Sequence, residues 1–216
     1  MTGTDPPSAH RRWPRLYVVI DSGVLAQSDP VAAAAAAIDG GARLIQWRAK
    51  GLGRAVGYDL ARRLRALARA HGTELIINDD IALARAVDAD GVHLGQDDLP
   101  ADVARRLLGA GFFLGMSAHT PELARRAQAA GADYVGVGPV FVSTTKQARP
   151  ALGVDGLAAI CRAVTIPVYG IGGIDLSNAR ELLRAGAYGA AVVSAVLRAP
   201  DIAAATRALV QRLERA

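Results

Sequence analysis

Two hydrophobic periods alternate along this chain. Short, largely β-branched apolar runs recur, and each gives way to a longer stretch in which Ala, Leu and Arg repeat at helical spacing. The first run is 16–20, and the helical stretch after it, 31–39, is stopped by Gly40 and Gly41. The pattern then predicts a strand at 43–47 with a helix at 57–71 ended by Gly72, and a strand at 74–77 with a short helix capped by Asp80 and running to 87. A strand at 91–94 precedes a helix at 101–108, closed by Gly109 and Gly111. The strand at 112–116 leads to a helix capped by Thr120 and reaching 130, with Pro121 at the first helical position, where its missing N–H costs nothing. The strand at 133–137 is followed by a long loop, 138–153, and a helix to 163. The last two units pair strands at 167–171 and 190–193 with helices at 177–185, stopped by Gly186, and 201–215.

Repeated strand–helix units imply parallel strands, and eight of them imply closure into one (β/α)8 TIM barrel over 15–216. A doubly wound open sheet is the alternative; the even size of the units and a glycine-rich signal late in the chain favour the barrel. Residues 1–14 contain Pro6, Pro7, Pro14 and the basic triplet 10–12, and read as a flexible tail without the pattern of a secretory leader.

Composition narrows the function classes. The chain has 216 residues, 51% of them apolar and 21% charged, which suits one globular domain. No apolar run approaches the roughly 18 residues of a membrane span. A lone cysteine, Cys161, cannot form an internal disulfide; it sits in an apolar helical pattern and reads as a core residue in a reducing, cytoplasmic setting. The net charge of +5 raises the question of nucleic acid, but the arginines are scattered without an aromatic-interleaved stripe, and anionic small molecules fit better. Of 25 cationic residues only Lys50 and Lys146 are lysine, and Asn occurs only at 78 and 178. A compact ammonium retained against so strong an arginine bias marks those two lysines for attention.

In a barrel of this kind chemistry belongs at the C-terminal strand ends. The unusual polar residues all fall there: Arg48 and Lys50 after strand two, Asn78, Asp79 and Asp80 after strand three, Gln96, Asp97 and Asp98 after strand four, Ser117 and His119 after strand five, and the hydroxyls from Ser143 to Thr145 with Lys146 after strand six. Asp79 and Asp98 follow adjacent strands, so their carboxylates can share one hard divalent ion, while Asp80 and Asp97 read as helix caps. The sequence from Gly170 through Gly172 and Gly173 to Ile174, together with Val193 and Ser194, reads as a phosphate site built from backbone N–H groups. The long loop 138–153 has the length of a lid or binding loop. His93 alternates with apolar neighbours and reads as a hydrogen-bonded structural residue; His119 is either a general base or a helix-start residue.

Taken together, the stretches IQWRAKG, IINDDIALARAVDADGVHLGQDDLP, GMSAHT, ADYVGVGPVFVSTTK and IPVYGIGGI resemble the thiamine phosphate synthase family, in order, from about residue 16 to 196. The resemblance implies a transferase that joins hydroxymethylpyrimidine diphosphate to thiazole phosphate and releases diphosphate. It also implies that Gln46, Arg48, Lys50 and Asn78 hold the pyrimidine diphosphate, Asp79 and Asp98 bind Mg²⁺, and Ser117 and Lys146 contact the leaving diphosphate. Arg48, Lys50, Ser117 and Lys146 are thereby the catalytic set, and Ser143, Thr145, Gly173, Val193 and Ser194 face the thiazole phosphate. The partners implied are small molecules, with neither nucleic acid nor membrane, and the oligomeric state stays open. Where the family usually reads Q-L-R-E-K, this chain has Trp47 and Ala49; where the hydroxyl loop usually begins with Thr, it has Ser143. Two other classes stand beside the synthase: a thiazole tautomerase, an isomerase that would dispense with the metal and diphosphate groups, and a non-catalytic binder of thiamine phosphates, which the loss of Glu at position 49 keeps open.

Overall fold

The computed structural model describes residues 13–26, 28–142 and 150–214. Eight parallel strands pair in chain order: β1 (Leu16–Asp21), β2 (Leu44–Arg48), β3 (Glu74–Asn78), β4 (Gly91–Leu94), β5 (Phe113–Ala118), β6 (Tyr134–Val137), β7 (Val168–Ile171) and β8 (Gly189–Val192). Leu16 lies opposite Ala190 and Val18 opposite Val192, so β8 returns to β1 and the sheet closes. The open sheet is therefore excluded.

Around the barrel run α1 (Ser22–Leu25), α2 (Pro30–Asp39), α3 (Arg54–Ala70), α4 (Ile81–Ala86), α5 (Ala101–Leu108), α6 (Pro121–Ala129), α7 (Gly153–Cys161), α8 (Ala179–Arg184), α9 (Ser194–Leu197) and α10 (Ile202–Glu214). The single turns α1 and α9 have no counterpart in the hydrophobic pattern, because four residues are too few to display a helical period. Caps fall where the side chains allow. Asp80 accepts from the N–H of Leu83 at 2.8 Å, and Thr120 from that of Leu123 at 3.3 Å, as expected. Asp97 caps nothing: α5 starts after Pro100, without a side-chain cap, and Asp97 faces the barrel mouth.

Each strand presents alternate residues to two environments. Val18, Ile45, Leu75, Val92, Leu114 and Val135 face outward and are sealed by the apolar faces of the helices. Tyr17, Leu44, Ile76, Phe113, Tyr134 and Tyr169 face inward near the end where the strands begin. The rings of Tyr17, Tyr134 and Tyr169 meet edge to face, with centroids 5.6–5.8 Å apart. Trp13 plugs this end, 4.7 Å from the Phe113 ring and 3% exposed, and the Pro14 carbonyl accepts from the Tyr169 hydroxyl at 2.6 Å. Packed chain therefore begins by Trp13, inside the segment 1–14 read as a tail; residues 1–12 lie outside the described residues. At the other end the strands outrun their apolar patterns: β1, β2 and β3 each extend one residue beyond expectation, to Asp21, Arg48 and Asn78.

One device fixes register twice. The Asp90 carboxylate accepts from the N–H of Leu75 at 2.8 Å and pairs with Arg65 of α3 at 2.9 Å. The Asp133 carboxylate accepts from the N–H of Leu114 at 2.8 Å and pairs with Arg105 of α5 at 2.5 Å. Each ties the start of a strand to the preceding strand and to a helix. Asp133 is 6% exposed, so deleting it leaves the N–H of Leu114 without its acceptor and takes the counter-charge from the partly buried Arg105, which keeps its carbonyl partners at Gly109, Phe112 and Gly131. Asp133→Ala is expected to lower stability by about 2–4 kcal/mol, and Asp133→Asn by less because an acceptor for Leu114 survives; urea unfolding of both checks this.

Cys161 packs beside Gly186 at the end of α7, and burial pushes its thiol up to about 11. The thiolate, the reactive form, is then roughly one part in a thousand at pH 8. Alkylation by iodoacetamide is expected to be slow at pH 8 and to quicken about tenfold per pH unit until the thiol titrates; fast labelling at pH 7 would show an activated cysteine instead.

Candidate active site

The inward face of every strand except β7, which ends in Ile171, finishes in a polar or small residue at the barrel mouth, and these residues line a cavity of about 620 Å³. Gln46, Arg48 and Lys50 come to it from β2 and the turn beyond, Asn78 and Asp79 from the end of β3 and the residue after it, Asp98 from the loop after β4, and Ser117 from β5. Gly173, Val193 and Ser194 close the opposite wall. Side chains spread over nearly 150 positions thus converge on one space. Ser143, Thr145 and Lys146 lie outside the described residues.

The basic side of the cavity is held by pairing. Arg48 donates to the Asp21 carboxylate at 2.5 Å, and Asp21 is 4% exposed. The other Asp21 oxygen accepts from the N–H of Gly23 at 2.8 Å and caps α1. The Ser22 hydroxyl reaches the carbonyls of Lys50 at 2.8 Å and Arg48 at 3.2 Å, tying the turn after β2 to the turn after β1. Lys50 bridges to Asp79 at 3.1 Å. Ala49, where a glutamate was expected, turns outward to pack on α3: its methyl lies 3.7 Å from the Cβ position of Gly57, whose carbonyl accepts from the Trp47 indole. Arg48 and Lys50 are therefore ordered by Asp21, Ser22 and Asp79, without help from position 49.

The acidic side is built on an unusual backbone. Asp79 has a φ of +65°, a left-handed conformation rare outside glycine, and its N–H donates to the His93 carbonyl at 2.9 Å. That bond holds the end of β3 against β4 and turns the Asp79 side chain into the mouth. The Asp98 carboxylate accepts from the N–H of Gly95 at 2.7 Å and faces Asp79. Burial pushes the Asp98 carboxyl above the usual carboxylate range, the Gly95 N–H draws it back, and the neighbouring Asp79 charge raises it again. Two carboxylates that repel across a short gap are a place where a cation is favoured. Among the described residues no cluster of three or more His, Cys, Asp or Glu forms an all-protein metal cage.

The far wall combines two left-handed glycines with a helix start. Gly172 and Gly173 have φ of +97° and +65°, and a Cβ on Gly173 would come within 2.6 Å of the Val142 carbonyl. α9 opens directly after β8, with Val193 at its cap and Ser194 as its first residue. His119 lines the cavity, whereas the cap of α6 is Thr120, so His119 stands on the mouth side of the helix start.

Among the cavity residues that escaped the reading of the sequence, three lie on β1. Tyr17, Val19 and Asp21 of β1 face inward. The alternation of β1 carries the signal, because a carboxylate at the end of an apolar strand is as anomalous there as on strand three.

A family model for thiamine monophosphate synthase matches residues 16–196. The chain is 50% identical over 196 residues to the thiamine-phosphate synthase of Chloroflexus aurantiacus, covering 90% of each chain. It is 46% identical over 202 residues to that of Moorella thermoacetica, covering 93% of this chain and 96% of the relative. The solved structure of a thiamine phosphate pyrophosphorylase from Pyrococcus furiosus superposes with a TM-score of 0.85 at 38% identity, over 94% of this chain and 96% of the other. This chain belongs to the thiamine monophosphate synthase family. Within that family, its departures at Trp47 and Ala49 form one outward-facing contact with α3 and leave the wall of the cavity unchanged in character.

Because Asp21 combines a helix cap with the counter-charge of Arg48, its two roles separate by substitution. Asp21→Asn keeps an acceptor for Gly23 and removes the charge, and is expected to cost about 1–3 kcal/mol of stability. Asp21→Ala removes both and is expected to cost about 1 kcal/mol more. Denaturant unfolding gives the two values, and equal costs would mean that the cap contributes nothing.

Proposed function

We propose that this chain joins a hydroxymethylpyrimidine diphosphate to a thiazole phosphate, giving thiamine phosphate and free diphosphate. The observation that supports this reading most is the facing pair Asp79 and Asp98, flanked by Arg48 and Lys50 at the mouth of a barrel of this family. Two carboxylates that share the single ammonium of Lys50 suit a ligand that brings both a metal and anionic oxygens.

Two carboxylates without further protein ligands match Mg²⁺, which keeps water and takes phosphate oxygens for the rest of its coordination. Asp79 and Asp98 would hold the Mg²⁺, whose charge would neutralise that of the diphosphate. Arg48, Lys50 and, from the loop, Lys146 add donors whose attraction grows as the CH₂–O bond breaks and its electron pair moves onto the diphosphate. Ser117 donates to the same group. Gln46 and Asn78 hold the pyrimidine in place. The thiazole nitrogen then forms the new N–CH₂ bond with its lone pair. No proton has to leave that nitrogen, so a strong base is unnecessary and placement carries the step. Gly173, Val193, Ser194 and the hydroxyls of Ser143 and Thr145 anchor the thiazole phosphate through N–H and O–H groups. A cavity of about 620 Å³ lies within the range that encloses small ligands.

Among the described residues no helix is long and apolar enough to cross a membrane. We place the enzyme in the cytoplasm, where a single unpaired cysteine is stable.

The decisive experiment is diphosphate release from the two substrates together. Turnover is expected only when both are present with Mg²⁺, and EDTA should abolish it. Asp98→Ala is expected to reduce kcat/KM at least about a hundredfold while the thermal midpoint stays within a few degrees. Full activity of that variant would remove Asp98 from the metal site, and silence of the folded wild-type protein with both substrates would overturn the reading.

A further inference from the structure

A continuous chain of hydrogen bonds crosses the barrel interior beneath the cavity. The Gln46 side chain meets the Tyr17 hydroxyl at 2.7 Å, and Tyr17 meets the Tyr134 hydroxyl at 3.0 Å. Tyr134 meets Nδ1 of His93 at 3.2 Å, and Nε2 of His93 meets the Ser117 hydroxyl at 3.0 Å. Space for it is made by two inward glycines. A Cβ on Gly115 would lie 2.1 Å from the Tyr134 ring, and one on Gly136 would lie 3.0 Å from the His93 ring. Gln46 and Ser117, at its two ends, line the cavity, as do Tyr17 and His93 between them, so the chain forms part of the cavity floor.

Each hydroxyl in the chain carries one hydrogen, and a neutral imidazole carries one N–H. The direction of any link therefore sets the next. Where the Gln46 amide donates to Tyr17, Tyr17 donates to Tyr134, Tyr134 donates to Nδ1, and the Nε2–H of His93 donates to Ser117. The Ser117 hydrogen is then left to point into the cavity, and so is the Gln46 carbonyl. In the opposite sense Ser117 donates to Nε2, the imidazole hydrogen sits on Nδ1, and Tyr17 donates to a Gln46 carbonyl turned inward. A mixed state either leaves a buried hydroxyl hydrogen without an acceptor or sets two lone pairs facing across one link, and each fault costs about 1–3 kcal/mol. Burial holds Tyr17 and Tyr134 well above the ordinary tyrosine range, so both phenols keep their hydrogens and the chain stays intact.

We infer that this chain couples the two ends of the cavity: an anion that accepts from Ser117 turns the Gln46 carbonyl outward, ready to accept from an amino group on a heterocycle. His93, Tyr134 and Tyr17 are positioning residues in this scheme, because they act through Ser117 and Gln46. The coupling is reciprocal, as linkage requires: a heterocycle that donates to Gln46 prepares Ser117 to donate to the anion. A sequence separation of 71 between Gln46 and Ser117 is thereby reduced to four hydrogen bonds. The identity of the anion as diphosphate rests on the function proposed above; the polarity rule does not.

The test uses the full chain, inorganic pyrophosphate with Mg²⁺, and a phosphate-free 4-aminopyrimidine. In ¹⁵N-histidine-labelled protein at pH 8, with the signals of His93 assigned by their loss in His93→Gln, bound pyrophosphate is expected to place the hydrogen on Nε2. By calorimetry, saturating pyrophosphate is expected to tighten the aminopyrimidine about fivefold or more. Tyr134→Phe and Tyr17→Phe each keep the ring and cut one link, and each is expected to bring that enhancement below about twofold. A Tyr134 that merely packs would weaken both ligands without changing the ratio. An Nδ1–H His93 in the pyrophosphate complex, or full enhancement in both Phe variants, would overturn the inference alone. Absence of pyrophosphate binding to the wild-type protein would overturn it together with the proposed function.

Discussion

A closed parallel barrel asks each strand to satisfy two surfaces with alternate residues, and the rest of this structure follows from how the chain answers. The outward residues are apolar almost throughout, because they meet helices. The inward residues change character along the strand. Near the strand starts they are the aromatic rings that fill the interior beside Trp13; near the strand ends they become Asp21, Arg48, Asn78 and Ser117. Polarity is thereby confined to one mouth, where water and ligands can reach it. The repeated carboxylate ties at Asp90 and Asp133 fix the register that this division depends on, since a slip of one residue would exchange the two faces.

At the mouth, charge is arranged as pairs that compensate one another incompletely. Arg48 is matched by a nearly buried Asp21, which fixes its direction. Lys50 is matched by a more exposed Asp79, and Asp98 faces Asp79 with no basic side chain bonded to it among the described residues. The site is thus rigid on its basic wall and electrostatically unfinished on its acidic one. A cation carrying anionic oxygens completes both. The strained backbone of Asp79 is consistent with this, for a left-handed aspartate persists only where its surroundings fix it.

Beneath the charges, the interior is polar in an ordered way. Tyrosines in a barrel core supply bulk and must also partner their hydroxyls, and here two of those hydroxyls join Gln46 to Ser117 through His93. Such a network rigidifies the floor of the site because every member is partnered, and one missing link would leave a buried polar atom exposed to its full desolvation cost.

Eight strand–helix units, the barrel, the helix caps at Asp80 and Thr120 and the polar rim were all legible in the amino-acid order. Each depends on periods, stop residues and offsets that act over a few positions. The motif residues were equally legible, and Gln46, Asp79, Asp98, Ser117 and Gly173 do meet at one cavity. What the order could not reveal depends on contacts between distant segments. Asp97 looks like a cap and is not one, because the helix begins at Ala101, beyond its reach. Trp13 looks like part of a tail and is a plug, because Phe113 and Tyr134 offer it a surface only after the barrel closes. Ala49 looks like a defect in the site, until the pleat turns it toward α3. Asp21 beside Arg48, and His93 between Tyr134 and Ser117, exist as pairs only in three dimensions. Periodicity determines which residues face inward, but closure of the sheet decides which of them touch.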